Sequence, residues 1–329
     1  MNVLVTSRSF GRYDPTAIQQ LEAVGFTISR MDDGPYESAP IAARIRDVDV
    51  LIVGNDTVDE TVFAAADRLK LVHMNGTGLD GIDVAAATRR GVYVANVSGA
   101  NKNAVAELTI ALMLIAGRRV HEHMKLARDG NWRRHAGHEI GGSTVGIIGL
   151  GNIGRRVVEL LAGFGAAIIG LDPHLDPSWA QASSVDPVGS AEEVFRRADW
   201  IVLTVPLTPA TRNLIDRRAL SLMKPNAIVI NTSRGGIVDE VALAEALTEG
   251  AIAGAALDTF SVEPLPMNSP LRRTHAVITP HIAATSIETS ALVSRRVMEN
   301  VLAIVHENRT SVAVNATELI QSTNVRSAQ

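Results

Sequence analysis

The most constraining feature of the chain is a glycine loop set between a strand and a helix. Val145-Gly146-Ile147-Ile148 reads as a buried strand and runs directly into Gly149-Leu150-Gly151-Asn152-Ile153-Gly154; a helical pattern, Val157 to Leu161, follows. The glycine spacing alone is weak evidence, but strand before and helix after is the context a dinucleotide-binding βαβ unit requires. Gly149 suits the tight turn, Gly151 leaves no side chain to block a pyrophosphate, and Gly154 lets helix and strand approach closely. The helix N-terminus then offers free N–H groups and a positive dipole end to phosphates.

The next strand supplies the acid that such a loop calls for. Ile168-Ile169-Gly170-Leu171 ends at Asp172, 18 residues beyond Gly154. A carboxylate there accepts from both adenosine ribose hydroxyls and repels a 2′-phosphate, which favours NAD over NADP. The ordinary alternative is a packing turn with a solvated aspartate.

Around this unit, strand-like and helical runs alternate through all 329 residues. Val3–Thr6, Asp49–Val53, Leu71–Asn75 and Val92–Ala95 read as strands before the loop. Pro15–Val24, with Gly25 as C-cap, and Thr57–Ala66 read as helices. A long helix is predicted over Asn103–His121. After it come six strands: Thr144–Ile148, Ala167–Leu171, Trp200–Thr204, Ala227–Asn231, Gly254–Leu257 and Val277–Thr279. Six is the number of a full doubly wound nucleotide-binding sheet. A last helix is expected over Ser286–Asn308, followed by a frayed polar tail. The fold class is therefore α/β, with parallel sheets covered by helices on both faces.

Composition closes off other classes. The net charge of −4 gives no reason to expect nucleic acid or an anionic membrane as partner. With no cysteine there are no disulfides, thiolate zinc sites or cysteine nucleophiles, and no metal site is expected. The apolar run Leu108–Ala116 is too short to span a bilayer and reads as a buried helix. The amino-terminal residues lack the pattern of a signal peptide, so a cytoplasmic location is expected.

Three further segments end strands on the side of the glycine loop: Asn231-Thr232-Ser233-Arg234, Leu257-Asp258 running to Glu263-Pro264, and Thr279-Pro280-His281. Ligands of doubly wound sheets bind beyond the carboxyl ends of strands, so Arg234, Glu263 and His281 converge on one crevice. Oxidation of a secondary alcohol needs a base for the hydroxyl proton, and the reverse reduction needs the same group as acid. Histidine serves both, and a carboxylate beside it raises its pKa. Arg234 offers a planar fork for a substrate carboxylate. Asp258 is placed to accept from a nicotinamide carboxamide. Singly, each residue has a structural reading as a surface, capping or turn residue; together, downstream of the glycine loop, they point to hydride transfer on a small 2-hydroxy acid.

These residues resemble the D-isomer-specific 2-hydroxyacid dehydrogenases, the family that includes the phosphoglycerate dehydrogenases. The resemblance runs from about Leu71 to Ala284. It is carried by Gly76-Thr77-Gly78-Leu79-Asp80-Gly81-Ile82-Asp83, by Val105-Ala106-Glu107, by the glycine loop, by Asn231-Thr232-Ser233-Arg234-Gly235-Gly236 and by Pro280-His281. It implies that Arg234, Glu263 and His281 are catalytic. It implies cofactor contacts at Thr77, Asn152, Ile153, Asp172, Val205, Thr232, Asp258 and His281 to Ala284, Ala283 included. It implies that backbone amides around Asn75, Gly76 and Gly78 join Arg234 on the substrate carboxylate. The implied layout is a Rossmann NAD domain, 99–284, inserted into a flavodoxin-like substrate domain, 1–98 with 285–329. A homodimer through the 103–121 helix is implied as well.

One departure bears on substrate. Phosphoglycerate dehydrogenases often carry an arginine where this chain has Met74. Its absence argues against a phosphorylated substrate, and hydroxypyruvate, glyoxylate or a bulkier 2-oxo acid stay in play beside 3-phosphoglycerate. The glutamate beside the histidine argues against a formate dehydrogenase. The alternative from another class is a non-catalytic NAD-sensing interaction protein of the corepressor type.

Overall fold

The computed structural model describes residues 1–320. The chain divides into two compact units, Met1–Asn101 with the described residues from Thr285 onward, and Lys102–Ala284. Each is built on one parallel sheet.

The strands of the first unit are β1 (Asn2–Val5), β2 (Thr27–Arg30), β3 (Val50–Val53), β4 (Leu71–Met74) and β5 (Tyr93–Ala95). Their order is β2-β1-β3-β4-β5, the doubly wound flavodoxin order. Val3, Val5, Val50, Ile52 and Leu71 join one apolar cluster, while Leu4, Leu51, Val53, Val72 and Met74 join another. Alternate residues thus face opposite helical layers, as a parallel sheet buried on both faces requires. β2 is absent from the sequence-based reading. It is an edge strand whose residues alternate between exposed and partly buried, so it carries no apolar run.

The second unit contains β6 (Thr144–Ile148), β7 (Ala167–Leu171), β8 (Val185–Pro187), β9 (Trp200–Leu203), β10 (Ile228–Asn231), β11 (Gly254–Leu257) and β12 (Val277–Ile278). The order is β12-β11-β10-β9-β6-β7-β8, with all pairs parallel. Counted from β6 this is the nucleotide-binding order 3-2-1-4-5-6 with a seventh strand added at the far edge. The extra strand over the six expected is β8. Its Asp186 and Pro187 hide it in sequence, and proline is tolerated there because the strand is an edge.

Two helical expectations need correction. The single helix over Asn103–His121 is instead Lys102–Gly117 followed by Val120–Arg128, separated by Arg119 at a left-handed φ of 51°. Arg119 then bonds Glu122 in the first turn of the second helix, at 2.6 Å. Within the first helix Leu112 and Met113 are buried, but Leu114 is exposed, so the apolar run is buried only in part. The carboxyl-terminal tail is not frayed as far as residue 320. Asn315 is buried; its Oδ1 accepts from Val94 N at 2.9 Å and its Nδ2 donates to Val92 O at 3.0 Å, which docks the segment on β5. Residues 321–329 lie outside the described residues. Among the described residues no helix is long and apolar enough to cross a membrane, and no cluster of three or more His, Cys, Asp or Glu is arranged to hold a metal.

Candidate active site

The glycine loop leaves β6 at the point where the order of the second sheet reverses. Gly149 takes φ +97°, and a Cβ there would lie 2.7 Å from Thr204 O. A Cβ at Gly154 would lie 2.0 Å from Gly149 O, so the helix Asn152–Leu161 sits directly on the loop. A Cβ at Gly151 would meet nothing within 4 Å, and Gly151 and Asn152 are exposed. The first turn of this helix has no intrahelical partners for its N–H groups, so they face an open surface. Such a cradle fits a diphosphate. Asp172, at the end of β7, accepts from Leu150 N at 2.7 Å and from His174 N at 2.8 Å.

Across the switch point, Val205 follows β9 and packs beside Gly149. Thr232 follows β10; it is buried, and its hydroxyl meets that of Thr109 at 2.8 Å. Arg234 stands two residues further on, in a turn tied by Asn231 Nδ2 donating to Arg234 O at 2.9 Å.

Glu263 and His281 are in contact. His281 Nδ1 lies 2.8 Å from Glu263 Oε2, and Glu263 Oε1 accepts from Phe260 N at 2.9 Å. Both side chains remain about one-third exposed (34% and 32%), and the contact with Glu263 uses Nδ1, the other ring nitrogen being Nε2. The hydrogen bond that His281 donates to Glu263 raises the His281 pKa, against burial and against the positive charge of Arg234. Burial pushes Glu263 up, but the His281 and Phe260 hydrogen bonds and the charges of His281 and Arg234 outweigh it and hold it low. Arg234, Glu263 and His281 therefore form one electrostatic group within the second unit.

Sequence reasoning did not foresee how His281 is aimed. His281 adopts φ +53°, uncommon for a residue with a side chain. Asp258 holds it there. This wholly buried carboxylate accepts from Thr279 Oγ1 at 2.6 Å, Ile282 N at 2.9 Å and Ala283 N at 2.8 Å, and Asp258 O accepts from His281 N at 2.9 Å. Ala283 is buried beneath the turn and Ala284 is exposed. Gly235 was also missed as a site residue. A Cβ there would lie 2.0 Å from Phe260 C and O, so the turn holding Glu263 packs on bare backbone.

In the first unit, Asn75, Gly76, Thr77 and Gly78 form the turn after β4, partly exposed. Gly76 O accepts from Val97 N at 2.8 Å, and Thr77 Oγ1 donates to Asn101 Oδ1 at 3.1 Å. Asn75 Nδ2 donates to Ser7 Oγ at 2.8 Å and Ser9 Oγ at 2.9 Å. Ser7 and Ser9 follow β1, so these groups share the carboxyl edge of the first sheet.

Residues 110–283 match the family model described as D-isomer specific 2-hydroxyacid dehydrogenase, NAD binding domain. The chain belongs to the D-isomer specific 2-hydroxyacid dehydrogenase family. It is 42% identical over 282 residues to D-3-phosphoglycerate dehydrogenase of Methanocaldococcus jannaschii, a match covering 84% of this chain and 54% of that one. It is 38% identical over 280 residues to glyoxylate reductase of Korarchaeum cryptofilum, covering 83% and 84%. A crystal structure of a Thermus thermophilus protein superposes with a TM-score of 0.86 at 34% identity, covering 95% of this chain and all of the other. The chain spans about half the length of the phosphoglycerate dehydrogenases it matches. Family membership makes the second unit an NAD-binding domain, in agreement with its glycine loop and strand order.

Proposed function

We propose that the protein is an NAD-dependent oxidoreductase that interconverts a D-2-hydroxy acid and the corresponding 2-oxo acid. The observation that carries this reading is the Glu263–His281 pair beside Arg234, beyond the carboxyl ends of β10, β11 and β12 in the sheet that carries the glycine loop.

When bound, NAD supplies the acceptor or donor of the hydride. Gly149, Gly151, Asn152, Ile153 and Gly154 would hold its diphosphate and Asp172 its adenosine ribose, while Val205, Thr232, Ala283 and Ala284 would lie toward the nicotinamide, with buried Asp258 holding the turn that carries the last two. Asp172 selects NAD over NADP by repelling a 2′-phosphate. Arg234 takes the substrate carboxylate in its fork. His281 Nε2 takes the hydroxyl proton in oxidation and returns it in reduction. Glu263 keeps the Nδ1 proton in place and stabilises the imidazolium.

A short, unphosphorylated acid of the hydroxypyruvate or glyoxylate type suits the first unit. Met74 and Asn75 bring no cation to the end of β4, and Asn75 is bonded to two neutral serines. We also propose a homodimer through the helices around residues 103–121, where Leu114, Val120 and Met124 are exposed apolar groups; Trp132, in the segment after the second helix, is 82% exposed.

The test follows NADH absorbance against hydroxypyruvate, its phosphate, glyoxylate, pyruvate and larger 2-oxo acids, with His281→Ala alongside. Turnover on one of them, lowered by roughly 10²- to 10⁴-fold in the variant, is expected. NADH binding without turnover on any of them would favour an NAD-sensing protein.

A further inference from the structure

The glycine loop is held by more than its glycines. Leu150, at its apex, is tied on three sides. Its side chain is 2% exposed and occupies the space left by Gly170 on β7, where a Cβ would come within 2.6 Å of Leu150 Cδ1. Its N–H donates to Asp172 Oδ2 at 2.7 Å. Its carbonyl accepts from Arg155 Nε at 2.9 Å. Arg155 in turn lies with its guanidinium carbon 4.5 Å from the centre of the Trp179 ring, on the helix Pro177–Ala182. The neighbouring carbonyl, Gly149 O, accepts from Thr204 Oγ1 at 2.6 Å.

The two carbonyls of the loop that would repel a phosphate are therefore both engaged by side chains of the protein. A peptide whose carbonyl is held on one side presents its next N–H on the other. Tying back Gly149 O turns the Leu150 N–H toward Asp172, and tying back Leu150 O turns the Gly151 N–H the other way, to join the first-turn amides of Asn152 and Ile153, which have no intrahelical acceptor. Arg155 is the cationic member of this arrangement. Its planar fork and stacking on an indole make it more than a point charge.

We propose that Arg155 is a positioning residue for the cofactor diphosphate: it holds the glycine loop in its anion-binding form through Leu150 O, and Trp179 fixes the guanidinium in that pose. This rests on the NAD reading above and adds to it a residue outside the glycine motif, with Trp179 as its support.

The experiment is calorimetric binding of NADH, ADP and adenosine to the wild type and to Arg155→Met, Arg155→Lys and Trp179→Leu. Adenosine shares the ribose and base of ADP but lacks the diphosphate. Loss of a hydrogen bond from a charged donor corresponds to about ten- to hundredfold in affinity. Arg155→Met is expected to weaken NADH and ADP by about that factor and to leave adenosine unchanged. KM for NADH should rise with it, and kcat should move by less than about twofold. Arg155→Lys should restore only part of the loss, because charge returns without the fork or the stack. Trp179→Leu should show a smaller loss of the same pattern, and it serves as the second route if Arg155→Met does not fold. ADP binding as tight in Arg155→Met as in the wild type overturns the proposal. So does full restoration by lysine, which would leave only long-range attraction, and so does an equal loss for adenosine. A wild type that binds neither NADH nor ADP defeats the cofactor reading itself.

Discussion

Glu263 and His281 meet at 2.8 Å through Oε2 and Nδ1, while the other carboxylate oxygen is fixed by the Phe260 amide. The glutamate is thus anchored to backbone before it anchors the imidazole. His281 stays protonated to a higher pH than an ordinary histidine, and Glu263 stays ionised to a lower pH than an ordinary glutamate. Reduction of a 2-oxo acid uses the imidazolium, so its rate falls as pH rises through the raised His281 value. Glu263→Gln removes the cause of the rise. The falling limb of the kcat/KM profile should move to lower pH, and the rate at its optimum should drop roughly ten- to hundredfold as the ring loses its orientation. An unmoved limb would show that His281 is not the proton donor.

The same pair gives a stability signature with a defined sign. A raised histidine contributes fully below its ordinary value of 6.5 and loses that contribution as pH climbs through the folded value. A lowered glutamate contributes above its ordinary value of 4.5 and loses that contribution as pH falls through the folded value. The melting temperatures of wild type and Glu263→Gln should therefore differ most between about pH 4.5 and 6.5 and converge on either side.

Gly235 tests whether the turn behind the pair matters. Its missing side chain leaves the space taken by the Phe260 carbonyl, 2.0 Å from where a Cβ would stand. Gly235→Ala must push Phe260 away and carry Glu263 with it. A displacement of about 1 Å at a reacting group costs on the order of 10²-fold in rate. Turnover should fall by that order while ADP affinity, set at the diphosphate and ribose on the other side of the switch point, changes little. Wild-type kcat in this variant would mean the turn yields without moving Glu263.

Much of this was legible in sequence because buried parallel strands write themselves as short apolar runs. β3, β4, β6, β9, β10 and β11 are of this kind, and the residues after β10, β11 and β12 are assigned to one crevice by the rule that ligands of doubly wound sheets bind beyond the carboxyl ends of strands. β2 and β8 were not legible, since edge strands need bury only one face and Pro187 argues against a strand. The break at Arg119 left no mark either, because no glycine, proline or asparagine announces its left-handed conformation. Within the site, Arg234, Glu263 and His281 carry chemistry in their side chains and stand out. The Phe260 amide, the carbonyl of Asp258 and the bare backbone of Gly235 act through the main chain, which every residue has, and only folding brings them to their partners.

His73 gives the first unit a response to acid. It is wholly buried on β4; Nδ1 is 2.8 Å from Met74 O, and Nε2 accepts from Asn300 Nδ2 at 3.0 Å, so the ring is neutral with its proton on Nδ1. Burial outweighs the Met74 hydrogen bond and pushes its pKa down to about 4. The unfolded chain therefore binds a proton that the folded chain refuses between pH 6.5 and about 4. Stability falls as pH drops through that window, by roughly 3 kcal/mol from this group. His73→Gln should lose stability at pH 7 through the altered hydrogen bonds, yet its urea midpoint should fall less steeply toward pH 4.5 than that of the wild type. Parallel slopes would mean that His73 is protonated in the native state.

Gly117 closes the helix Lys102–Gly117 over the indole of Trp200, the first residue of β9 and fully buried in the second unit's core. A Cβ at position 117 would stand 2.2 Å from Trp200 Cη2. Neither group can move away easily: the indole is the largest fully buried side chain of the described residues, and Gly117 O accepts from His138 N at 2.8 Å. Gly117→Ala should therefore destabilise by about 1–3 kcal/mol through overpacking, despite the higher helix propensity of alanine. Trp200→Phe creates a cavity and is destabilising alone. In the double variant the new methyl enters the space the indole vacates, so the two losses should sum to more than the measured total. A double-mutant cycle on chemical denaturation midpoints reads this coupling directly. Strict additivity would show that the helix shifts as a body rather than pressing on Trp200.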